Sequence, residues 1–210
     1  MAEDPRTSLS LKPVVLASAS RTRLEMLRNA GLQVEAIASG LDEGAVIEAV
    51  AAGPDGLPPA DVAAILAEAK AQAVSETRPG AVVIGADQTL ELDGELFTKP
   101  ASMEEARRTL LQLAGKTHHL HSAVSLVSAG QTLWAHTATA TLTMRTYSPA
   151  FVGHYSAAAG DAILHSVGCY QLEGVGAQLF ERIDGDFFTI LGLPLLPLLA
   201  KLRDLQVLET

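Results

Sequence analysis

The sequence predicts an α/β fold built around a mixed sheet. Three observations carry this. Two short runs, PVVLA from Pro13 and AVVIGA from Ala81, are almost wholly apolar, as strands buried on both faces are. Segments with helical spacing alternate with extended ones along the chain. An Asp93-Gly94 pair separates two extended runs, a hairpin signal, because both central residues of a type I′ turn need positive φ. The chain has 210 residues, 48% of them hydrophobic, enough for one core or for two lobes that share one.

The elements follow in order. Residues 1–12 read as a polar tail, with no apolar segment of the kind a signal peptide carries, and residues 13–210 as a single domain. Pro13 to Ala17 is a strand. The small-residue turn SASR leads into a helix over RLEMLRNAG, with Gly31 as its stop. AAGPDGLPP, Ala51 to Pro59, reads as an exposed loop. Ala60 to Val74 is a second helix, with Val62, Ile65, Leu66, Ala69 and Ala73 as its apolar stripe. The strand from Ala81 to Ala86 is expected to end before Asp87. Thr89 to Leu92 and Glu95 to Phe97 are the hairpin arms. Ser102 caps a helix to Leu113, with Glu104 and Glu105 in its first turn. Two β segments, near His119 to Val127 and Gln131 to Thr143, precede a helix from Ser148 to Ala159. LGLPLLPLLAKL, Leu191 to Leu202, is a buried C-terminal helix, too short and too proline-rich to span a membrane.

Composition narrows the function. A net charge of −9 argues against a nucleic-acid binder, which needs a basic face for phosphates, and nine aromatic residues offer few stacking platforms. The same charge suits a protein that holds a divalent cation, and local arginines and lysines can still meet a small anion. Cys169 is the only cysteine, which rules out an intramolecular disulfide and fits the reducing cytoplasm.

Candidate chemistry sits in five places. In LASASR, Leu16 to Arg21, small residues before a helix leave N–H groups for an anion, with Arg23 one turn on to fork onto phosphate oxygens; an ordinary capped turn fits the same spacing. Asp87, just past a central strand, is placed to hold a metal or act as a base toward water, or to make a local turn bond. Lys99 before Pro100 is brought back by the hairpin to the rim that Asp87 occupies, unless it is a solvated edge lysine. Asp42, Glu43 and Glu48 form a small acidic cluster that reads equally as a solvated face. In QLEGVGAQLF, from Gln171, Gly174 and Gly176 would let backbone approach a ligand, and Glu173 could accept from an amino-bearing base; a plain loop is the alternative. The histidines of THHLH, Thr117 to His121, are expected on a strand surface rather than in a zinc site, because no further ligand set accompanies them.

Together LASASRTRLEML, LAEAKAQAV, GADQTLELDGELFTKP, TLTMR and GCYQLEGVGAQLFERIDGDFFTILGLPL resemble the Maf family of nucleotide pyrophosphatases, from about Val14 to Leu199. The resemblance implies a mixed twisted sheet with flanking helices, two lobes around a central cleft, and divalent-metal-dependent hydrolysis of a nucleoside triphosphate to the monophosphate and pyrophosphate. It implies Mg²⁺ or Mn²⁺ as cofactor and a homodimer as assembly. It places the catalytic aspartate on Asp87, the motif lysine on Lys99, the helical lysine on Lys70, the N-terminal substrate contacts on Ser18, Ser20 and Arg23, and a second acidic metal ligand on Glu43. One departure stands out: Arg21, Thr22 and Arg23 follow SAS where the family has a proline and two arginines. Gln88 and Glu173 are similar to the branch that acts on 7-methyl-GTP; a carboxylate suits the N–H donors and positive charge of a methylated guanine and repels a pyrimidine carbonyl. The alternatives are a dTTP- or UTP-preferring pyrophosphatase and a regulatory nucleotide binder that acts on cell division through a partner.

Overall fold

The computed structural model describes residues 12–51 and 57–209, so the expected tail and most of the expected loop before Pro59 lie outside the described residues. Its centre is a seven-stranded mixed sheet. Strand β1 (Val14–Ala17) lies between β2 (Val34–Ala36) and β3 (Val82–Leu92), all parallel. The short arm β4 (Glu95–Phe97) folds back on the end of β3. Beyond β3 the pairing turns antiparallel through β5 (Thr117–Ser128), β6 (Gln131–Met144) and β7 (Phe180–Asp184). Asp93 and Gly94 take φ of 55° and 86°, as the type I′ reading requires. Among the described residues no helix is long and apolar enough to cross a membrane.

Strand β3 corrects one expectation with consequences for the site. It does not stop before Asp87; it runs on to Leu92, because β5 pairs with it from Val83 to Glu91. What stops is its other neighbour. β1 leaves β3 after Gly85, and β4 joins only at Leu90. Ala86 to Thr89 therefore have no strand partner on that edge, and the sheet carries a gap at its centre.

Seven helices flank the sheet among the described residues: α1 (Arg21–Asn29), α2 (Glu43–Ala51), α3 (Pro59–Ser75), α4 (Met103–Leu113), α5 (Pro149–Ala159), α6 (Phe187–Ile190) and α7 (Leu195–Asp204). Ser20, Ser102 and Ser148 cap α1, α4 and α5 by accepting from N–H groups of the first turn. The C-terminal helix starts at Leu195 rather than Leu191, since Gly192 sits at φ 97° and Pro194 supplies no N–H. α2, α6, β2 and β7 carry no clear periodicity and are not anticipated by the sequence.

Helix α3 is present as expected but rotated. Its buried face is Val62, Ala63, Leu66, Ala67, Lys70, Ala71 and Val74, while Ile65, Ala69 and Ala73 lie on the side. Alanines on two adjacent stripes leave the apolar pattern ambiguous; close packing against glycine decides it. A Cβ on Gly85 would stand 2.0 Å from the Ala67 carbonyl oxygen and 2.8 Å from the Ala71 Cβ. Only glycine lets α3 approach β3 this closely, and the rotation turns Lys70 into the protein.

Two clusters hold most of the core. One gathers Leu90, Leu110, Leu120, Leu142 and Tyr155 under α4 and α5; the other gathers Leu16, Leu27, Ile84, Leu126 and Leu198 under α1 and α7. The histidine strand is not a surface. His118 is fully buried, with Nε2 2.7 Å from the Tyr170 hydroxyl, and His121 is buried between Glu91 and Thr139 at 2.8 and 2.9 Å. β5 is paired on both edges by β3 and β6, and its residues from Leu120 to Val127 are all buried, so neither face is a surface there.

Candidate active site

A cleft of about 1080 Å³ opens at the gap in the sheet, lined from the first lobe by the Ser18–Arg23 turn and α2 and from the second by the Phe97–Lys99 segment and the 165–173 loop. Strand alternation then divides it. Asp87 and Thr89 face α3, whereas Gln88 and Leu90 face the opposite side, where Ser122 and Leu120 are their partners on β5.

On the α3 side three charges meet. Lys70 Nζ lies 2.5 Å from Asp87 Oδ1 and 2.7 Å from Glu43 Oε1. Lys70 and Asp87 are buried, and Glu43, at the start of α2, is half-exposed. Thr89 Oγ1 donates to the Pro59 carbonyl at 2.7 Å, fastening the start of α3 over the same strand. Burial alone would raise the Glu43 carboxyl, but the hydrogen bond and charge of Lys70, with Lys99 and Arg23 behind it, hold it below its ordinary value. Lys99 is exposed on the cleft rim, on the same lining as Asp87.

Arg23 is a buried strut. Its Nε donates to the Gly192 carbonyl at 2.7 Å, and Nη1 donates to the Ala86 carbonyl at 2.9 Å and reaches Ser18 Oγ at 3.4 Å. It thus occupies the open edge of β3 that β1 vacates. Burial lowers its pKa, and the nearby Asp87 and Glu43 charges oppose that shift. Two of its nitrogens are committed to the protein, so a phosphate fork would draw on Nη2 or on exchange. Ser20 Oγ is engaged by the Arg23 N–H, and Ser18 Oγ accepts from the Ser20 N–H at 3.2 Å. Arg21, on the cleft lining, is highly exposed and pairs with Glu25 at 2.8 Å, unlike the buried Arg23.

On the other side, Gln88 Nε2 lies 2.9 Å from Ser122 Oγ and 3.1 Å from each of the Thr189 and Ile190 carbonyls. Glu173 lines the same cleft from the 165–173 loop. Ser166 pins that loop, donating to the Tyr170 carbonyl at 2.8 Å and accepting from its N–H at 3.0 Å. Gly176 does not open the backbone to a ligand: a Cβ there would meet the Gln171 carbonyl oxygen at 2.5 Å, so the glycine serves chain-to-chain packing. Cys169 is buried, and burial pushes its thiol up to about 12 against a bond from Thr109, which leaves no nucleophile. Ser122 carries part of the geometry without a motif signal; Gly85 opens the GADQTLELDGELFTKP motif, and a lone glycine inside an apolar strand is the visible clue to close packing.

Among the described residues no three metal-binding side chains converge. The two carboxylates that meet at Lys70 form an all-oxygen donor pair. That fits a hard divalent ion such as Mg²⁺ or Mn²⁺, which commonly takes one or two carboxylates and completes its shell with waters and substrate phosphates.

Known proteins match this sequence along nearly its whole length. The family described as Maf-like protein matches residues 13–205. A 7-methyl-GTP pyrophosphatase of Mesorhizobium japonicum is 56% identical over 93% of this chain and 98% of its own length. One of Brucella abortus is 55% identical over 90% and 94%. A nucleoside triphosphate pyrophosphatase of Caulobacter vibrioides is 50% identical over 93% and 96%. Among solved structures, the Staphylococcus aureus Ham1 protein aligns over 63% of this chain and 72% of that one, at 18% identity and a TM-score of 0.42.

Proposed function

The chain belongs to the Maf family, and on that premise we propose that it is a nucleoside triphosphate pyrophosphatase whose substrate is 7-methyl-GTP or a close relative. The observation that carries the chemistry is the Lys70–Asp87–Glu43 constellation beside the gap in β3. Lys99, Lys70 and Arg23 supply positive charge for the triphosphate, and the Ser18 to Ser20 turn borders the same space.

In the proposed reaction, Asp87 orients a water toward the α-phosphorus and accepts its proton. A new P–O bond forms, the bond to the bridging oxygen breaks, and pyrophosphate leaves with the electron pair. Lys70 stabilises the charged carboxylate beforehand and exchanges one anionic oxygen for another when phosphates arrive. A Mg²⁺ or Mn²⁺ ion held by Asp87 and Glu43 would neutralise developing phosphate charge. A cytoplasmic site of action is part of the proposal, supported by a single buried cysteine that needs no oxidising compartment.

The test is pyrophosphate release from 7-methyl-GTP, GTP, CTP, UTP and dTTP with Mg²⁺ or Mn²⁺. We expect 7-methyl-GTP to lead and Asp87→Asn to lower turnover by about 10²- to 10⁴-fold. Near-normal turnover in Asp87→Asn would sink the catalytic assignment. A lead for UTP or dTTP would keep the chemistry and discard the base assignment. Binding without turnover would leave a regulatory module.

A further inference from the structure

The atom that Gln88 shows to a ligand is decided by what lies behind it. Its terminal nitrogen is surrounded by the Thr189 and Ile190 carbonyls, both at 3.1 Å, and by Ser122 Oγ at 2.9 Å. Main-chain carbonyls only accept, so the group facing them is the amide NH₂ and not the amide oxygen. Ser122 is fully buried, and its own hydroxyl hydrogen points to the Thr189 carbonyl at 2.7 Å. Its oxygen is therefore left as an acceptor for Gln88. The carbonyls are fixed in turn, because Asp186 caps α6 by accepting from the Thr189 N–H at 3.0 Å. Gln88 also lines the cleft, and with its nitrogen spent on these acceptors the amide oxygen is the polar atom it has left for a ligand.

We propose that Ser122 is a positioning residue for base selection, holding the Gln88 amide so that only an acceptor faces the base. The inference rests on the nucleotide reading of the cleft. With the Glu173 carboxylate on the lining of the same cleft, the base pocket then offers two acceptors and suits adjacent donors on one base edge. Guanine has them, in N1–H and the 2-amino group. Adenine and cytosine set one donor beside an acceptor, and uracil sets one N–H between two carbonyls. An unpaired carbonyl facing fixed acceptors is rejected strongly.

The test uses calorimetric binding of 7-methyl-GMP and UMP, which need no turnover, alongside KM and kcat for 7-methyl-GTP and UTP. Ser122→Ala is expected to reduce the 7-methyl-GMP over UMP preference about three- to tenfold, one hydrogen bond's worth, with the loss in KM rather than kcat. Ser122→Thr, which keeps the hydroxyl, recovers part of the preference. Gln88→Leu, which removes the amide altogether, reduces it further. A Ser122→Ala protein that weakens both monophosphates equally overturns the proposal, as does an unchanged ratio in Gln88→Leu. Failure of every triphosphate to turn over would count against the pyrophosphatase reading alone, since monophosphate binding still decides the role of Ser122.

Discussion

Asp87 and Gln88 are neighbours in one strand, yet they face opposite sides of the sheet and belong to halves of the cleft that are built differently. The Asp87 half is held by charge: one buried ammonium between two carboxylates, with a buried guanidinium bracing the strand edge. The Gln88 half is held by neutral hydrogen bonds to fixed main-chain carbonyls. Ion pairs can exchange partners when a polyanion arrives, because one anionic oxygen replaces another around the same lysine. A carboxamide wedged among carbonyls has one orientation. The first arrangement suits a site where charge must move, and the second suits a site that must read a pattern. In the proposed reading both reach one nucleotide through the gap in the sheet, which exposes the strand edge between two faces.

Lys70→Met breaks the charged half most directly. It removes the hydrogen-bonded cation from a buried pair and leaves Asp87 with only the more distant Arg23 charge, an effect of about 3–5 kcal/mol. Urea unfolding should show this loss, and turnover should fall with it. The double variant Lys70→Met/Asp87→Asn should be less destabilised than the sum of the two single variants. Strict additivity would mean that the pair does not couple, and the comparison with the neutral half would collapse.

Acid probes the other half. His118 projects from β5 on the Gln88 side and bonds Tyr170, which lines the cleft. Burial, with a smaller contribution from His119, lowers its pKa from 6.5 to about 4. Below its ordinary value the unfolded chain gains a proton that the folded chain refuses until the lowered value is reached. Stability is therefore lost as pH falls from about 6.5 to about 4, by about 3 kcal/mol in total. His118→Gln should flatten this part of the profile. A wild-type profile that is already flat there would mean that His118 is not held neutral.

The sequence makes the site side chains of both halves legible, Gln88 and Glu173 as well as the charged set, and hides what holds them; the reasons are local. Asp93-Gly94 dictates its own turn, and serines before helices dictate their own caps. Asp87, Lys70 and Lys99 stand in long motifs that resemble a known family. The rotation of α3 was not legible, because alanines on two stripes look alike until Gly85 selects one face. From sequence β3 ends at its first charge, although β5 supplies a partner well beyond it. Ser122 left no trace at all: it is one small residue in an alternating strand, and its meaning comes from carbonyls roughly seventy positions away. Hydrogen bonds to main chain carry no residue signature on the accepting side, so a site built from them is hidden from sequence.

Glu43→Gln should have the smallest effect on stability and separates two roles of one residue. Glu43 shares the Lys70 ammonium with Asp87, but its side chain is 48% exposed against 9% for Asp87. Solvent screens the exposed pair, so its loss should cost no more than about 1 kcal/mol, and less at high salt. If Glu43 only tethers α2 to Lys70, activity should follow that small change. If it also ligates the ion, the Mg²⁺ concentration for half-maximal turnover should rise about tenfold or more while the unfolding midpoint hardly moves. We expect the second outcome, since a carboxylate whose charge is already favoured by Lys70, Lys99 and Arg23 stays ionised and available in the cleft. An unchanged Mg²⁺ dependence would assign Glu43 to the lysine alone and remove it from the proposed ion site.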